Sequence, residues 1–344
     1  RRLQDAGLEP QVFDQFSPEP SDFECFGGLE AAKEHEADLL IGVGGGSSMD
    51  MAKVVGTLMT NGGGPLDYAG MDLIEHPLPP VITVPTTAGT GSEVTAFAVV
   101  TDTPNRVKVN LVSPHLAPKL ALLDPMLTVT MPAHVTAATG LDAFCHAFES
   151  YTCQVANPIT EGLALYAMEL IGRYLTVAVE DGGNTEARTK MQLASTIAGL
   201  AFSNSDCCGV HCMGESLGGM VDMLHGVACA IFLPPVFEFN MSADLAKHAR
   251  VGEVLGLDLS GLSLAEAAHK TLDRLIQWEA DLGIPHLRDV PGVHPDEFDL
   301  AAQGAVESVC ASSQPRPTSH ADYRRMFEEA YSLESSGPSS PSIS

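Results

Sequence analysis

Four side chains in this sequence could bind one divalent metal ion together. Asp142 and His146 lie four residues apart in a segment of helical character, so a helix would present both on one face. His211 and His225 come from a later segment. One carboxylate and three neutral imidazoles leave a divalent ion with a net charge of about +1 and an open position, as a catalytic metal site requires.

Taken singly, each of these residues has a plainer interpretation. The chain contains 12 histidines, and a lone helical histidine usually packs in the core or faces solvent. Asp142 could cap a helix, and His225 could belong to a turn. The metal site is therefore predicted by the four residues as a set.

The composition limits the classes of partner. The 344 residues are 45% hydrophobic, enough for a large core and two domains. The chain has 44 acidic and 18 basic residues, which give a formal net charge of -26. That charge repels phosphate backbones and anionic membranes, so we expect neither nucleic acid nor membrane as a partner.

Eight cysteines occupy irregular positions, which fits reduced thiols and a cytoplasmic location better than a disulfide framework. The cluster from Cys207 to Cys212 admits a structural zinc site as an alternative, although it lacks the usual Cys-x-x-Cys pairs. No uninterrupted apolar run reaches the roughly 18 residues of a membrane-spanning helix. We therefore expect a soluble protein.

The first part of the chain alternates strands with helices, which predicts a parallel sheet. Strands are predicted at 12–16, 37–43 and 81–84, and a helix at 21–36. The opening residues resemble the end of a helix that stops at Gly7.

Later segments have long amphipathic patterns and predict helices at 159–174, 186–202 and 264–282. The proline-flanked stretch before them places a domain boundary near residue 130. The predicted fold class is therefore α/β plus all-α: a Rossmann-like parallel-sheet domain over residues 1–130, then a helical metal-binding domain over 131–334. Residues 335–344 are rich in Ser and Pro, and we expect a disordered tail.

Two glycine-rich turns follow predicted strands. The first, Gly44-Gly45-Gly46-Ser47, runs into a helix that Ser47 or Ser48 could cap. Free amides and the positive helix end at such a turn favour a phosphate. The spacing is not Gly-x-Gly-x-x-Gly, so this turn alone is weak support for a nucleotide site. The second turn, at 85–95, could line the same crevice.

In combination these motifs resemble the iron-containing (group III) alcohol dehydrogenase family over residues 20–330. The resemblance rests on the first turn with Asp50 and Lys53, on Pro85 to Glu93, on the segments that hold the four candidate ligands, and on Pro315-Arg316-Pro317-Thr318.

The resemblance implies an amino-terminal nucleotide-binding domain, a helical carboxy-terminal domain, and a metal ion with NAD or NADP in the cleft between them. It implies a small-molecule alcohol or aldehyde as substrate, with the substrate oxygen on the metal ion beside His146 and His211. The ion implied is Fe2+, with Zn2+ as an alternative, and we expect a homodimer or a higher homo-oligomer. The metal ligands implied are Asp142, His146, His211 and His225, and the cofactor-binding residues implied are Gly45, Gly46, Ser47, Asp50, Thr86, Thr87, Thr90 and Lys108.

Two features depart from the family pattern. Glu215 stands where most relatives have a histidine close to the reacting centre, and it could accept a proton, add a ligand or merely face solvent. An earlier strand, which in relatives helps to discriminate NAD from NADP, is also missing before Arg1. If that strand is missing from the molecule, a sheet edge is exposed and cofactor affinity falls.

Two other functions remain open. Dehydroquinate synthase-like enzymes share this fold and use NAD and zinc for a cyclisation, but they need basic phosphate-binding residues, which are few here. A non-catalytic metal- and nucleotide-binding relative is the other alternative. The favoured function is transfer of hydride between a short-chain alcohol or diol and NAD(P).

Overall fold

The computed structural model describes residues 2–17, 20–105, 107–221 and 223–333. The predicted disordered tail at 335–344 lies outside these residues. The chain forms two compact units. The first comprises residues up to Thr86 together with Ser92–Asp124, and the second comprises Thr87–Gly91 together with the chain from Pro125 onward.

The first unit contains two small sheets with helices. One sheet is parallel, with the strand order β1-β3-β6. In the other, with the order β2-β5-β4, β2 is parallel to β5 and β4 is antiparallel to it. The elements of this unit are α1 (Arg2–Asp5), α2 (Asp22–Glu34), β1 (Leu40–Gly44), α3 (Gly46–Asn61), β2 (Gly70–Met71), β3 (Val81–Pro85), β4 (Phe97–Asp102), β5 (Val107–Val112) and β6 (Leu120–Ala121), with 3-10 helices at Pro65–Tyr68 and Pro114–Leu116.

Several sequence predictions are confirmed in this unit. The predicted helix at 21–36 is α2, which begins after a capping box formed by Ser21 and Glu24. The predicted strands at 37–43 and 81–84 are β1 and β3, and they pair in parallel as expected. Strand β1 lies at an edge of its sheet, where Ile41 and Val43 are exposed.

The strand predicted at 12–16 is wrong, because these residues form an irregular segment. Phe13 and Phe16 pack against the same apolar core. In a strand, residues three apart would point to opposite faces. Because both rings pack on the same side, this segment does not have the alternating side-chain directions of a strand.

The predicted serine cap of α3 is also wrong. The helix begins one residue earlier than Ser47, with Gly45 at the N-cap and no side-chain cap. The Gly45 carbonyl accepts from the Ser48 and Met49 N–H groups, and among the described residues no side-chain hydroxyl caps the first turn of α3.

The second unit is helical, as predicted. Helices α4 and α8 form much of its interior, since nearly all their residues are buried. The predicted helices at 159–174, 186–202 and 264–282 are confirmed. The helices are α4 (Ala133–Thr152), α5 (Pro158–Glu180), α6 (Thr185–Ser203), α7 (Gly209–Met220), α8 (His225–Met241), α9 (Leu245–Val254), α10 (Leu264–Asp281), α11 (Phe298–Glu307) and α12 (His320–Ser332), with 3-10 helices at Pro125–Thr128, Leu287–Asp289, Pro295–Glu297 and Val309–Ser313.

Helix α5 is the one helix among the described residues that is long and apolar enough, by length and composition alone, to cross a membrane. One such helix is weak support for a span, because core helices pass the same test. The helix also carries Glu169 and Arg173, whose side chains form an ion pair of 2.8 Å.

A buried lysine ties α3 to the chain around β4. The Lys53 ammonium donates hydrogen bonds to the Ser92 hydroxyl at 2.9 Å and to the Phe97 carbonyl at 2.6 Å. It also lies 3.6 Å from the Asp50 carboxylate. Lys53 is fully buried, so its charge is stable only while these partners surround it.

Replacing Lys53 with methionine should therefore destabilise the protein strongly. The substitution K53M preserves much of the side-chain volume but leaves the buried Asp50 charge unpaired, which costs about 3–5 kcal/mol. The free energy of unfolding from denaturant titration measures this change. The exposed Lys33→Met serves as the matched control, and equal stability of the two variants would contradict the structural role of Lys53.

Candidate metal centre and nucleotide turns

The four candidate metal ligands lie together in the helical unit. Asp142 and His146 face the same side of α4, His211 lies in the first turn of α7, and His225 is the first residue of α8. The Asp142 Oδ1 atom is 3.6 Å from His225 Nε2, 3.7 Å from His211 Nε2 and 4.0 Å from His146 Nδ1.

Close helix packing brings His225 to this point. A Cβ atom at the neighbouring Gly226 would lie 2.4 Å from the Ala138 carbonyl oxygen on α4. Only glycine allows the start of α8 to approach α4 so closely. The glycine that follows His225 is therefore required by the site.

The donor atoms fit a metal ion. Asp142 Oδ1, His146 Nδ1 and His211 Nε2 are buried and have no hydrogen-bond partner among the described residues. Unpartnered polar atoms are costly in a protein interior, and a cation would satisfy all three. Ligands of one tetrahedral ion stand about 3.4 Å apart, close to the distances of 3.6 and 3.7 Å from Asp142 Oδ1 to His225 and His211. His146 Nδ1 is farther from Asp142, at 4.0 Å, and its donors group within 4.8 Å with those of His211 and Cys207. His225 is partly exposed, so the centre reaches solvent on that side.

Electrostatics favour a charged carboxylate at Asp142 and a neutral imidazole at His146. Burial opposes the charge of Asp142, yet the three surrounding histidines hold its pKa below the ordinary value. Burial lowers the pKa of His146 to about 3, despite the attraction of Asp142. Neutral imidazole and ionised carboxylate are the forms that bind metal ions.

The sequence analysis missed Glu149. This fully buried carboxylate accepts hydrogen bonds from the backbone N–H groups of Cys208 at 3.1 Å and Val210 at 2.6 Å. Its other oxygen accepts a short hydrogen bond from His211 Nδ1. The bond keeps the proton on Nδ1 and leaves Nε2 free to bind a metal ion.

A sequence signal for Glu149 did exist. Asp142, His146 and Glu149 follow one another at steps of four and three residues, which places all three on one face of α4. Burial alone would lower the pKa of His211, but interactions with Cys207, Cys229 and then Glu149 raise it.

The ring of His146 is held from two other directions. It stacks on Phe202 with ring centroids 4.4 Å apart, and it makes a hydrogen bond to the backbone of Gly89. Gly89 belongs to the second predicted cofactor turn, whose residues Thr87–Gly91 pack as part of the helical unit. The turn therefore contacts a metal ligand directly.

Glu215 lies on α7, one turn after His211, and is half-buried. Burial is the main cause that raises the pKa values of the Cys212 and Cys310 thiols. The negative charge of Glu215 raises both values further. Among the described residues, Glu215 does not belong to the groups of donor atoms that lie within 4.8 Å of one another.

The two glycine turns begin at adjacent strand ends in the first unit. Gly44 pairs with Pro85 where β1 and β3 end, and the Thr86 N–H donates to the Gly44 carbonyl at 2.8 Å. Gly45, Gly46 and Ser47 then lead into α3. A parallel sheet that ends in such turns is the common place for a nucleotide phosphate.

The remaining predicted cofactor residues lie in different surroundings. The Asp50 carboxylate accepts hydrogen bonds from the Ser92 hydroxyl at 2.6 Å and the Val99 N–H at 3.1 Å, so it holds α3 in place. Lys108 is half-buried on β5, in the second sheet. Thr90 lies in the Thr87–Gly91 turn.

A parallel-sheet unit with glycine turns and a helical unit with a buried Asp/His centre together define the class of metal- and nucleotide-dependent oxidoreductases. Comparison with known proteins identifies the family within that class. Residues 1–125 match the profile of the iron-containing alcohol dehydrogenases, and residues 136–331 match the carboxy-terminal part of the same family. The chain belongs to the iron-containing alcohol dehydrogenase family.

Individual relatives agree with this assignment. The chain is 41% identical over 330 residues to 1,3-propanediol dehydrogenase of Klebsiella pneumoniae, covering 96% of this chain and 85% of that protein. It is 38% identical over 330 residues to NAD-dependent methanol dehydrogenase of Bacillus methanolicus, with coverages of 96% and 87%. The solved structure of alcohol dehydrogenase from Oenococcus oeni superposes with a TM-score of 0.93 at 39% identity, covering 96% and 86% of the two chains.

The role of Glu149 can be tested by a variant that exchanges the donor and the acceptor in its hydrogen bond to His211. In E149Q the amide oxygen can still accept from the backbone, but the amide nitrogen would donate to Nδ1 and favour a proton on Nε2. The affinity for Fe2+ should fall about 10- to 100-fold. Anaerobic titration against a competing chelator measures the dissociation constant.

The matched control is Gln314→Ala, since Gln314 accepts from the Gly209 N–H at the same end of α7. This control should lower the unfolding temperature of the metal-free protein and leave the Fe2+ dissociation constant close to that of the wild type. Equal loss of affinity in both variants would show that Glu149 acts only by holding the helix.

Proposed function

We propose that this protein is an NAD(P)-dependent alcohol dehydrogenase and aldehyde reductase that acts on short primary alcohols or diols. The observation that carries the proposal is the convergence of unpartnered, buried donor atoms from Asp142, His146 and His211, with His225 beside them. Buried polar atoms without hydrogen-bond partners are costly in a protein core, and a bound cation would satisfy them.

Each residue has a defined role in this proposal. Asp142 supplies the negative charge, and His146, His211 and His225 supply neutral donors. When bound, the ion would supply a Lewis acid that acidifies an alcohol or polarises an aldehyde carbonyl. Glu149 fixes the tautomer of His211, and the Gly89 backbone and Phe202 orient His146. A bound nicotinamide would supply the acceptor or donor of the hydride.

The nucleotide turns support NAD(P) as the cofactor. The glycine turn Gly45, Gly46 and Ser47 leads into the amino-terminal end of α3, where the helix dipole favours a pyrophosphate. Thr86, Thr87, Thr90 and Lys108 remain candidates for further contacts. Asp50 contributes by holding the loop through Ser92 and Val99.

The substrate class follows from chemistry and relatives. Methanol and 1,3-propanediol are named as substrates of two relatives, and both are short primary alcohols. Glu215 lies one helical turn beyond His211, and we infer that it accepts the proton released by such an alcohol. Its substitution by glutamine should lower kcat more than it raises KM.

We infer that Fe2+ is the resident ion, with Zn2+ as the competitor, because imidazole and carboxylate donors accept both. Eight buried free thiols support a reducing compartment such as the cytoplasm. A homodimer or a higher homo-oligomer is the expected assembly, which light scattering measures.

The function is tested by metal analysis of anaerobically purified protein together with turnover of short alcohols in the presence of NAD or NADP. Asp142→Asn should lose the bound ion and reduce kcat/KM by at least about 10³-fold, since an ion contributes several kcal/mol. His134→Ala is the control, because His134 is exposed on the same helix. Nucleotide binding without turnover of any alcohol would favour a non-catalytic relative.

The nucleotide turn is tested at Gly44. This residue has φ of 151°, and a Cβ atom there would lie 2.2 Å from the Ser48 hydroxyl oxygen. Gly44→Val should displace the turn and weaken NAD binding roughly tenfold or more, given a strain of about 1–3 kcal/mol. Calorimetric titration measures the dissociation constant, and metal content should stay unchanged.

Gly162→Ala is the matched control, because a Cβ atom at that position meets nothing within 4 Å. Unchanged NAD affinity in Gly44→Val, with normal stability, would move the nucleotide site away from this turn.

A further inference from the structure

A cysteine lies beside the metal centre and takes no part in the proposed chemistry. Cys229 is on α8, one helical turn after His225, and is fully buried. Its Sγ atom is 3.6 Å from His225 Nε2. The donor atoms of Asp142, His211, His225 and Cys229 all lie within 4.8 Å of one another.

We propose that Cys229 is an alternative fourth ligand, so that the centre contains two overlapping donor sets. Both sets share Asp142, His211 and His225. The first is completed by His146 and leaves a position open for substrate. The second is completed by Cys229 and would suit thiophilic divalent ions such as Zn2+ and Cd2+.

The geometry supports the second set. A tetrahedral ion with nitrogen ligands at about 2.0 Å and a sulfur ligand at about 2.3 Å separates nitrogen from sulfur by roughly 3.5 Å. The Cys229 to His225 distance of 3.6 Å matches this value. The two distances from Asp142 Oδ1, 3.6 Å to His225 and 3.7 Å to His211, are similar.

Two unpartnered atoms point to a ligand at the same place. Asp142 Oδ1 and His211 Nε2 are buried without a hydrogen-bond partner among the described residues, and both belong to the second set. Neither atom belongs to His146, so the second set does not need that residue. The cysteine therefore joins a site that is already built.

Charge distinguishes the two sets. With three neutral imidazoles and one carboxylate, a divalent ion keeps a charge of about +1 and acts as a Lewis acid. With the Cys229 thiolate in place of one imidazole, the ion is neutralised, which suits a fully buried position. Thiolate ligands favour zinc and cadmium over iron. Iron is matched better by imidazole and carboxylate donors.

The proton balance is simple. Cys229 would bind the ion as a thiolate, because the thiolate and not the thiol is the metal ligand. Formation of the sulfur–metal bond releases the thiol proton to solvent. No oxidant or reductant is required.

Cys207 lies on the other side of His211 and provides the matched comparison. Its sulfur groups with His146 and His211, without a carboxylate. That set lacks a fourth donor and has one anionic ligand where the Cys229 set has two. Cys207 is buried like Cys229, so a serine substitution perturbs the core to a similar degree.

The experiment uses the full chain, freed of metal under anaerobic conditions and titrated with Cd2+. Wild type and Cys207→Ser should develop the ultraviolet charge-transfer absorption of a cadmium–thiolate bond at one equivalent. Cys229→Ser should lack it and bind Cd2+ at least about tenfold more weakly. Cadmium NMR of the wild type, which reports sulfur ligation by chemical shift, covers the case in which Cys229→Ser does not fold.

Absence of a thiolate signal in the wild type, or its persistence in Cys229→Ser, overturns the proposal. The inference rests on the metal centre of the proposed function, but its readout does not depend on turnover. A protein that oxidises alcohols with iron and shows no thiolate signal with Cd2+ refutes only the alternative set. A thiolate signal without turnover of any alcohol refutes only the proposed activity.

Discussion

A carboxylate oxygen buried without a hydrogen-bond partner is the constraint on which this structure depends. Asp142 is 2% exposed, and His146 and His211 direct toward it nitrogens that have no hydrogen-bond partner among the described residues. The protein interior tolerates such a group only when positive charge neutralises it. The helical unit thus contains a site that a cation would satisfy.

Helix α4 organises the centre by its spacing. It carries Asp142 and His146 as donors and Glu149 as the group that fixes another helix. The Glu149 carboxylate holds both the backbone at the start of α7 and the ring of His211. Glu149 therefore sets both the position of α7 and the tautomer of His211. A change at Glu149 would disturb both together.

Much of this arrangement could be predicted from sequence, because helical spacing and family motifs identify Asp142, His146, His211 and His225. Glu149 was missed although its spacing fits, since its partners are backbone amides that no motif displays. The β4–β5 pair was also missed, although β5 alternates apolar and polar residues over most of its length. The strand predicted at 12–16 failed because Phe13 and Phe16 are buried on one side, which only tertiary packing decides.

The assignment of Thr87–Gly91 to the helical unit has a consequence for how such a chain can be recombined. The chain passes between the units at 86/87, 91/92 and 124/125, so no single junction separates them. A chimera joined at Pro125 would bring a foreign loop against His146, whose ring bonds to the Gly89 backbone. A chimera of two homologues must therefore take Thr87–Gly91 from the same parent as the helical unit. Otherwise segments from two different parents would meet at the metal centre.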